Sequence, residues 1–301
     1  KTVKNNYMAL NVSVFKTRTI TALLFAATML LGFWWNAWSF LLLFIIIHFG
    51  CWWEFLKLIE KIHHTKFHLY TKLGLMTMGF SFLLWYCGYP YHFDSYIIKY
   101  NLPIPVSTAG FVFMLIGIYL QNTVKPLAYI AALGGVFYIS FSCGLIIDLF
   151  EAPIGFTSES PAFYSSVMLP MIILFSIWIN DTMAYIVGSL IGKTPLSKIS
   201  PKKTWEGTLG GMLLAIVAMG FINLYVFELK NISDNYHWFV IPAIAALAGT
   251  MGDLFESKLK RMAGVKDSGS FLPGHGGFLD RFDSLLFAVP AVWLYIQIML
   301  S

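Results

Sequence analysis

Uncharged, apolar runs of helical-span length recur along this chain, separated by short polar segments. A helix needs about 20 mainly apolar residues to cross the hydrocarbon layer of a bilayer. The stretch between Arg18 and Glu54 holds 35 residues without a charge, enough for two spans and a tight turn near Trp35-Asn36-Ala37. Further uncharged runs cover Leu73–Phe93, Asn101–Val124, Leu127–Ile147, Ser160–Asn180, Gly207–Phe227, Asn235–Gly252 and Ser284–Ser301. The pattern predicts an all-α, polytopic membrane protein of about nine transmembrane helices. The Pro103/Pro105 pair is expected to delay the start of the fourth.

Lysine and arginine positions orient such a chain, because cytoplasmic segments carry the excess. With a cytoplasmic N-terminus and nine alternating helices, 18 of the 20 basic residues fall inside, and only Lys99 and Lys230 fall outside. The acidic segment holding Asp148, Glu151 and Glu159 then lies outside, and the loops Lys193–Lys203 and Lys258–Arg281 face the cytoplasm. Composition agrees with the pattern: 58% of residues are hydrophobic and only 12% charged, with mean hydropathy +0.71. Soluble domains carry about 25% charged residues, so a soluble enzyme and a nucleic-acid-binding domain are excluded, despite a formal charge of +5.

The first apolar run follows Lys16 and Arg18 as a signal peptide would, but it lacks a small-residue cleavage pattern and is expected to be a retained span. Met8 is a candidate start, which would make residues 1–7 extraneous. Cys51, Cys87 and Cys143 lie in apolar runs without metal-binding or disulfide spacing. His63, His64 and His68 share a wet basic loop and need no function.

Polar residues shift the picture along the chain. Residues 1–150 read as plain, aromatic-rich transmembrane helices with no recognisable chemistry. Residues 151–301 carry helices whose ends and cytoplasmic loops are crowded with ionisable groups, each a functional-site hypothesis at membrane depth. The richest segment runs from Gly252 to Ser284. If its first helix continues past Gly252, then Asp253, Glu256, Ser257 and Lys260 share one face. A basic, glycine-rich loop around His275 follows, and then Asp280, Arg281 and Asp283. Carboxylates at two helix ends, joined by such a loop, suit a polyphosphate held through a divalent metal. A second segment, Ser200–Gly207, offers Lys202 and Lys203 as phosphate partners and Thr204 as a helix cap. A third, Asn180-Asp181, reads as the polar end of an apolar helix.

From Ser257 to Asp283 the chain reads S-K-L-K-R, four residues, then K-D-S-G-S-F-L-P-G-H-G-G-F-L-D-R-F-D. This run resembles the signature of the phosphatidate cytidylyltransferase (CDP-diacylglycerol synthase) family. The likeness continues through Asn180-Asp181, Lys193 and Ile199–Gly207, and so covers roughly residues 175–284. The resemblance implies that CTP and phosphatidate give CDP-diacylglycerol and pyrophosphate, at an inner (cytoplasmic) membrane with the site facing the cytoplasm. It implies magnesium, with a second cation such as potassium, and suggests a homodimer.

On that reading Asp253 and Asp280 are metal ligands, with Asp283 and Glu256 as further ones. Lys260, Arg261, Lys266 and Arg281 neutralise phosphates. His275, with Gly274, Gly276 and Gly277, orients the leaving pyrophosphate. Ser257, Asn180, Asp181, Lys202 and Lys203 complete the nucleotide site, and Asp253, Lys260, His275 and Asp280 form the catalytic group. A CTP-dependent polyprenol or dolichol kinase is the alternative enzyme. A secondary transporter is disfavoured, because its charges would lie near the midplane of matched halves.

Overall fold

In a computed structural model of the protein, the residues described are 12–121, 123–151, 162–225, 236–271 and 276–299. Long helices dominate: α1 (Val12–Trp34), α2 (Ala37–Ile62) and α3 (Leu69–Trp85); a short hairpin of β1 (His92–Phe93) and β2 (Tyr96–Ile97); the single turn α4 (Ile98–Asn101); then α5 (Pro103–Leu120), α6 (Pro126–Gly135), α7 (Ser142–Glu151), α8 (Ala162–Ile191), α9 (Trp205–Tyr225), α10 (His237–Met262) and α11 (Leu279–Met299). Seven stretches among the described residues are long and apolar enough to cross a membrane, and Thr19–Trp34 is a shorter apolar helix. The fold is that of an all-α, polytopic integral membrane protein.

The predicted turn after the first span is present. Asn36 caps α2, its side chain accepting from the Ser39 amide at 2.8 Å while Ser39 Oγ accepts from the Asn36 amide at 3.0 Å. This reciprocal cap satisfies donors that a helix start leaves open. Pro103 sits in the first turn of α5, where its missing N–H costs nothing. The run expected over Leu127–Ile147 is one span made of α6, a π-helical turn at Val136–Phe141 and α7. That widened turn carries Ser140 inward, where its Oγ accepts from Trp52 Nε1 at 2.8 Å and lies 3.0 Å from His48 Nε2, all three buried.

One departure concerns the C-terminal half. The helix expected to end at Asn180 runs eleven residues further, to Ile191. Asn180 and Asp181 therefore lie within α8 rather than at its end. The extension is held by α9: a Cβ on Gly207 would stand 2.7 Å from the Ala184 carbonyl and 2.8 Å from the Gly188 Cα. Backbones this close need small residues at the crossing. α10 continues past Gly252 to Met262 as anticipated, and packs along α11. Helices of the first half reach the same region, since α2 touches both α10 and α11.

Candidate active site

The connection between α8 and α9 folds back on itself. Glu206, in the first turn of α9, accepts from the amides of Lys193 and Thr194 at 3.1–3.2 Å. The Leu196 amide donates to the Lys203 carbonyl at 2.7 Å, and the Trp205 amide donates to that of Thr194 at 2.9 Å. Thr204 Oγ1 accepts from the Gly207 amide at 3.1 Å, the cap expected from its position. So anchored, the loop directs Lys203 towards α10, where its Nζ lies 2.6 Å from Asp253 Oδ2. The adjacent Lys202 is exposed. This contact joins two segments some fifty residues apart that the sequence could only set side by side.

On α10 the face Asp253–Glu256–Ser257–Lys260 forms as the helical period requires. Glu256 is fully buried and ion-paired with Lys260. Lys260 Nζ also donates to Asp280 Oδ1 at 2.6 Å, so one ammonium bridges α10 and α11. The other oxygen of Asp280 gathers the loop: it accepts from the Ser268 amide at 2.9 Å and the Gly277 amide at 2.8 Å, with Ser268 Oγ at 2.9 Å. Gly276 has φ +84°, and a Cβ there would stand 2.6 Å from Asp280 Oδ2. Both the left-handed backbone and the close approach demand glycine.

Asp283 is 6% exposed. One of its oxygens accepts from the Ser284 amide at 2.7 Å, and the carboxylate is within electrostatic range of Asp253 and Asp181. Asp181 in turn is within electrostatic range of Lys203 and Arg281. Asn180 is buried beside it, with Nδ2 3.4 Å from Thr250 Oγ1 and Oδ1 without a hydrogen-bond partner. Arg261 and Lys266 are exposed, Arg261 donating to the Val265 carbonyl at 3.2 Å. Gly274 and His275 lie outside the described residues.

One participant comes from the half in which the sequence offered no chemistry. Glu54 of α2 is only 5% exposed. Its Oε2 accepts from Ser268 Oγ at 2.7 Å and from the Leu279 amide at 3.0 Å. The only sequence signal was a lone carboxylate after a 35-residue uncharged stretch, two residues beyond Trp52. An ionisable group at that place invites a partner, but nothing local names which.

Five carboxylates (Asp181, Asp253, Glu256, Asp280 and Asp283) thus meet three cations, Lys203, Lys260 and Arg281, and a sixth, Glu54, joins Asp280 through Ser268. The formal excess of negative charge, together with the unpartnered Asn180 Oδ1, fits a hard cation. Among the described residues no three acidic, histidine or cysteine side chains converge as a ready cage. Magnesium sites of the nucleotide type have this form, with one or two carboxylates and the substrate's phosphates supplying the ligands.

Comparison with known proteins bears on the whole chain. The model of the cytidylyltransferase family matches residues 16–299. A phosphatidate cytidylyltransferase of Thermotoga maritima is 41% identical over 132 residues, covering 43% of this chain and 49% of its own. Phosphatidate cytidylyltransferase 4, chloroplastic, of Arabidopsis thaliana is 33% identical over 211 residues, covering 65% of this chain and 53% of its own. A Staphylococcus epidermidis phosphatidate cytidylyltransferase is 46% identical over 115 residues, 38% of this chain and 43% of its own. The chain spans about half the length of the curated relatives it matches.

Proposed function

The chain belongs to the cytidylyltransferase family, and from that membership we propose that it transfers the cytidylyl group of CTP to phosphatidate, giving CDP-diacylglycerol and pyrophosphate. The observation that carries the reading is the Lys203–Asp253 contact of 2.6 Å. It unites a basic loop with a carboxylate-bearing helix face, the pairing that a metal-bound triphosphate requires. Relatives named phosphatidate cytidylyltransferase in bacteria and plants supply the substrate class.

In this reaction an oxygen of the lipid phosphate forms a bond to the α-phosphorus of CTP, and the bond from that phosphorus to the bridging oxygen of pyrophosphate breaks. The attacking monoester has a second pKa of about 6 and is largely dianionic at neutral pH, so no strong base is needed. The barrier is the approach of one anion to another, which fixed cations lower. In this reading Lys203 exchanges Asp253 for a phosphate oxygen when CTP arrives. Asp253 and Asp283, with Asp181 beside them, are the carboxylates left to hold magnesium. Bound there, the cation would neutralise the triphosphate and polarise its α-phosphorus. Asp280 and Glu256 both meet Lys260, so their part in metal binding requires that lysine to move. Lys260 keeps α10, the loop and α11 in register, while Arg281 offers charge at the rim.

The charge partition supports a cytoplasmic N-terminus and a site open to the cytoplasm, where phosphatidate enters sideways with its tails in lipid. The test is CDP-diacylglycerol formation by the purified protein in detergent, with and without Mg²⁺, using CTP labelled at the α-phosphorus. Label in the lipid product is expected. Label confined to released CDP, with phosphate moved onto a polyprenol, would replace this reading with the kinase.

A further inference from the structure

We infer that Glu54, on α2 of the N-terminal half, is a positioning residue of the transfer site. Its carboxylate is the floor on which the loop from α10 and the start of α11 are set. The inference rests on the reading above for its kinetic consequence, but its structural content is independent of the reaction.

The geometry is specific. Glu54 Oε2 accepts from Ser268 Oγ at 2.7 Å, at the entry of the loop, and from the Leu279 amide at 3.0 Å, at its exit. Leu279 is the first residue of α11, whose amide has no partner within its own helix. Glu54 therefore caps α11 from another helix, where negative charge is favoured. The glycines on either side complete the seat: a Cβ at Gly269 or Gly277 would collide with the Glu54 carboxyl group. One turn back along α2, Gly50 lies against the ring of Phe278. The two α2 positions, four residues apart on one face, thus receive Phe278 and Leu279, the residues just before Asp280.

Glu54 is linked to the reacting region through Ser268. The Ser268 hydroxyl lies 2.7 Å from Glu54 and 2.9 Å from Asp280 Oδ2, while its amide donates to that same Asp280 oxygen. A hydroxyl has one proton to donate, so the two carboxylates share a single donor between them. Displacing Glu54 shifts that balance and frees the Leu279 amide. Asp280 and Asp283, less than two turns into α11, then lose their fixed direction. A carboxylate buried among apolar helices is costly, and an apolar side chain would serve packing alone.

The test compares Glu54→Ala and Glu54→Gln with the wild type in detergent, by two readouts. The first is hydrogen exchange of the Ser268–Gly269 and Gly277–Leu279 amides, with α9 as reference; the second is kcat and KM for CTP. Glu54→Ala is expected to speed exchange at both loop segments and not in α9. It should lower kcat by about 100-fold, the scale of an ångström-level misplacement, with KM for CTP changed by less. Glu54→Gln keeps an accepting oxygen and should recover most of both.

Wild-type exchange in Glu54→Ala overturns the inference, as does a Gln variant that loses turnover with its exchange unaltered. If Glu54→Ala does not yield monodisperse protein, Ser268→Ala decides: it removes the hydroxyl that Glu54 holds, and exchange of the Ser268–Gly269 amides must then exceed that of the wild type. Should the wild type itself form no CDP-diacylglycerol, the proposed reaction fails, yet the exchange result still decides the role of Glu54.

Discussion

Replacing Lys203 by alanine tests the junction on which the functional reading depends. The lysine lies 2.6 Å from Asp253, with side chains 32% and 28% exposed, so solvent screens the pair in part. Two unit charges 4 Å apart at an effective dielectric near 20 interact by about 4 kcal/mol. After desolvation, a charged hydrogen bond contributes about 1.5–3 kcal/mol net. If Lys203 passes from Asp253 to a phosphate of CTP, kcat/KM for CTP should fall about 10- to 150-fold, since about 1.4 kcal/mol corresponds to tenfold. A second signature follows from what remains. Without Lys203, Asp253 still faces Asp283 with less positive charge nearby, so half-saturation by Mg²⁺ should occur at a lower concentration. The assay varies CTP and Mg²⁺ separately at saturating phosphatidate in mixed micelles. Lys198→Ala, an exposed change in the same loop, serves as the control. Wild-type kcat/KM in Lys203→Ala, or an equal loss in Lys198→Ala, would refute the reasoning and return the loop to membrane orientation alone.

Other expectations are as direct. Asp253→Asn and Asp283→Asn should each abolish turnover while the protein stays folded, and normal activity at limiting Mg²⁺ would remove that residue from the metal group. Gly276→Ala should cost about 1–2 kcal/mol in the left-handed region and disturb Asp280; an unchanged melting temperature and unchanged turnover would contradict both. A cysteine at Glu159 should react with an impermeant thiol reagent from outside the cell and one at Lys198 should not, against low background because Cys51, Cys87 and Cys143 are buried. Labelling in the reverse sense would invert the topology.

Whatever depends on neighbours along the chain is legible in the order of its residues. Apolar runs of bilayer length locate the spans because each must satisfy its backbone internally. Thr204 marks a helix start, since a side-chain oxygen at that place accepts from an orphan amide. The face of Asp253, Glu256 and Lys260 follows from the helical period, and the long motif from Ser257 to Asp283 pointed to the family that the whole-chain match bears out.

Which charges meet is set by how the helices pack. Lys203 and Lys202 are equivalent in the sequence, but the folded loop turns one to Asp253 and leaves the other exposed. Asp181 reads as a stop to an apolar run. Yet α8 continues past it, because glycines in α9 let the helices close and a polar face can line a site. Glu54 carried no legible role, because its partners lie 214 and 225 residues away. Periodicity reports which side of a helix is polar. The partner of a buried charge is set by which helices pack against that side, and that is a property of the assembled bundle.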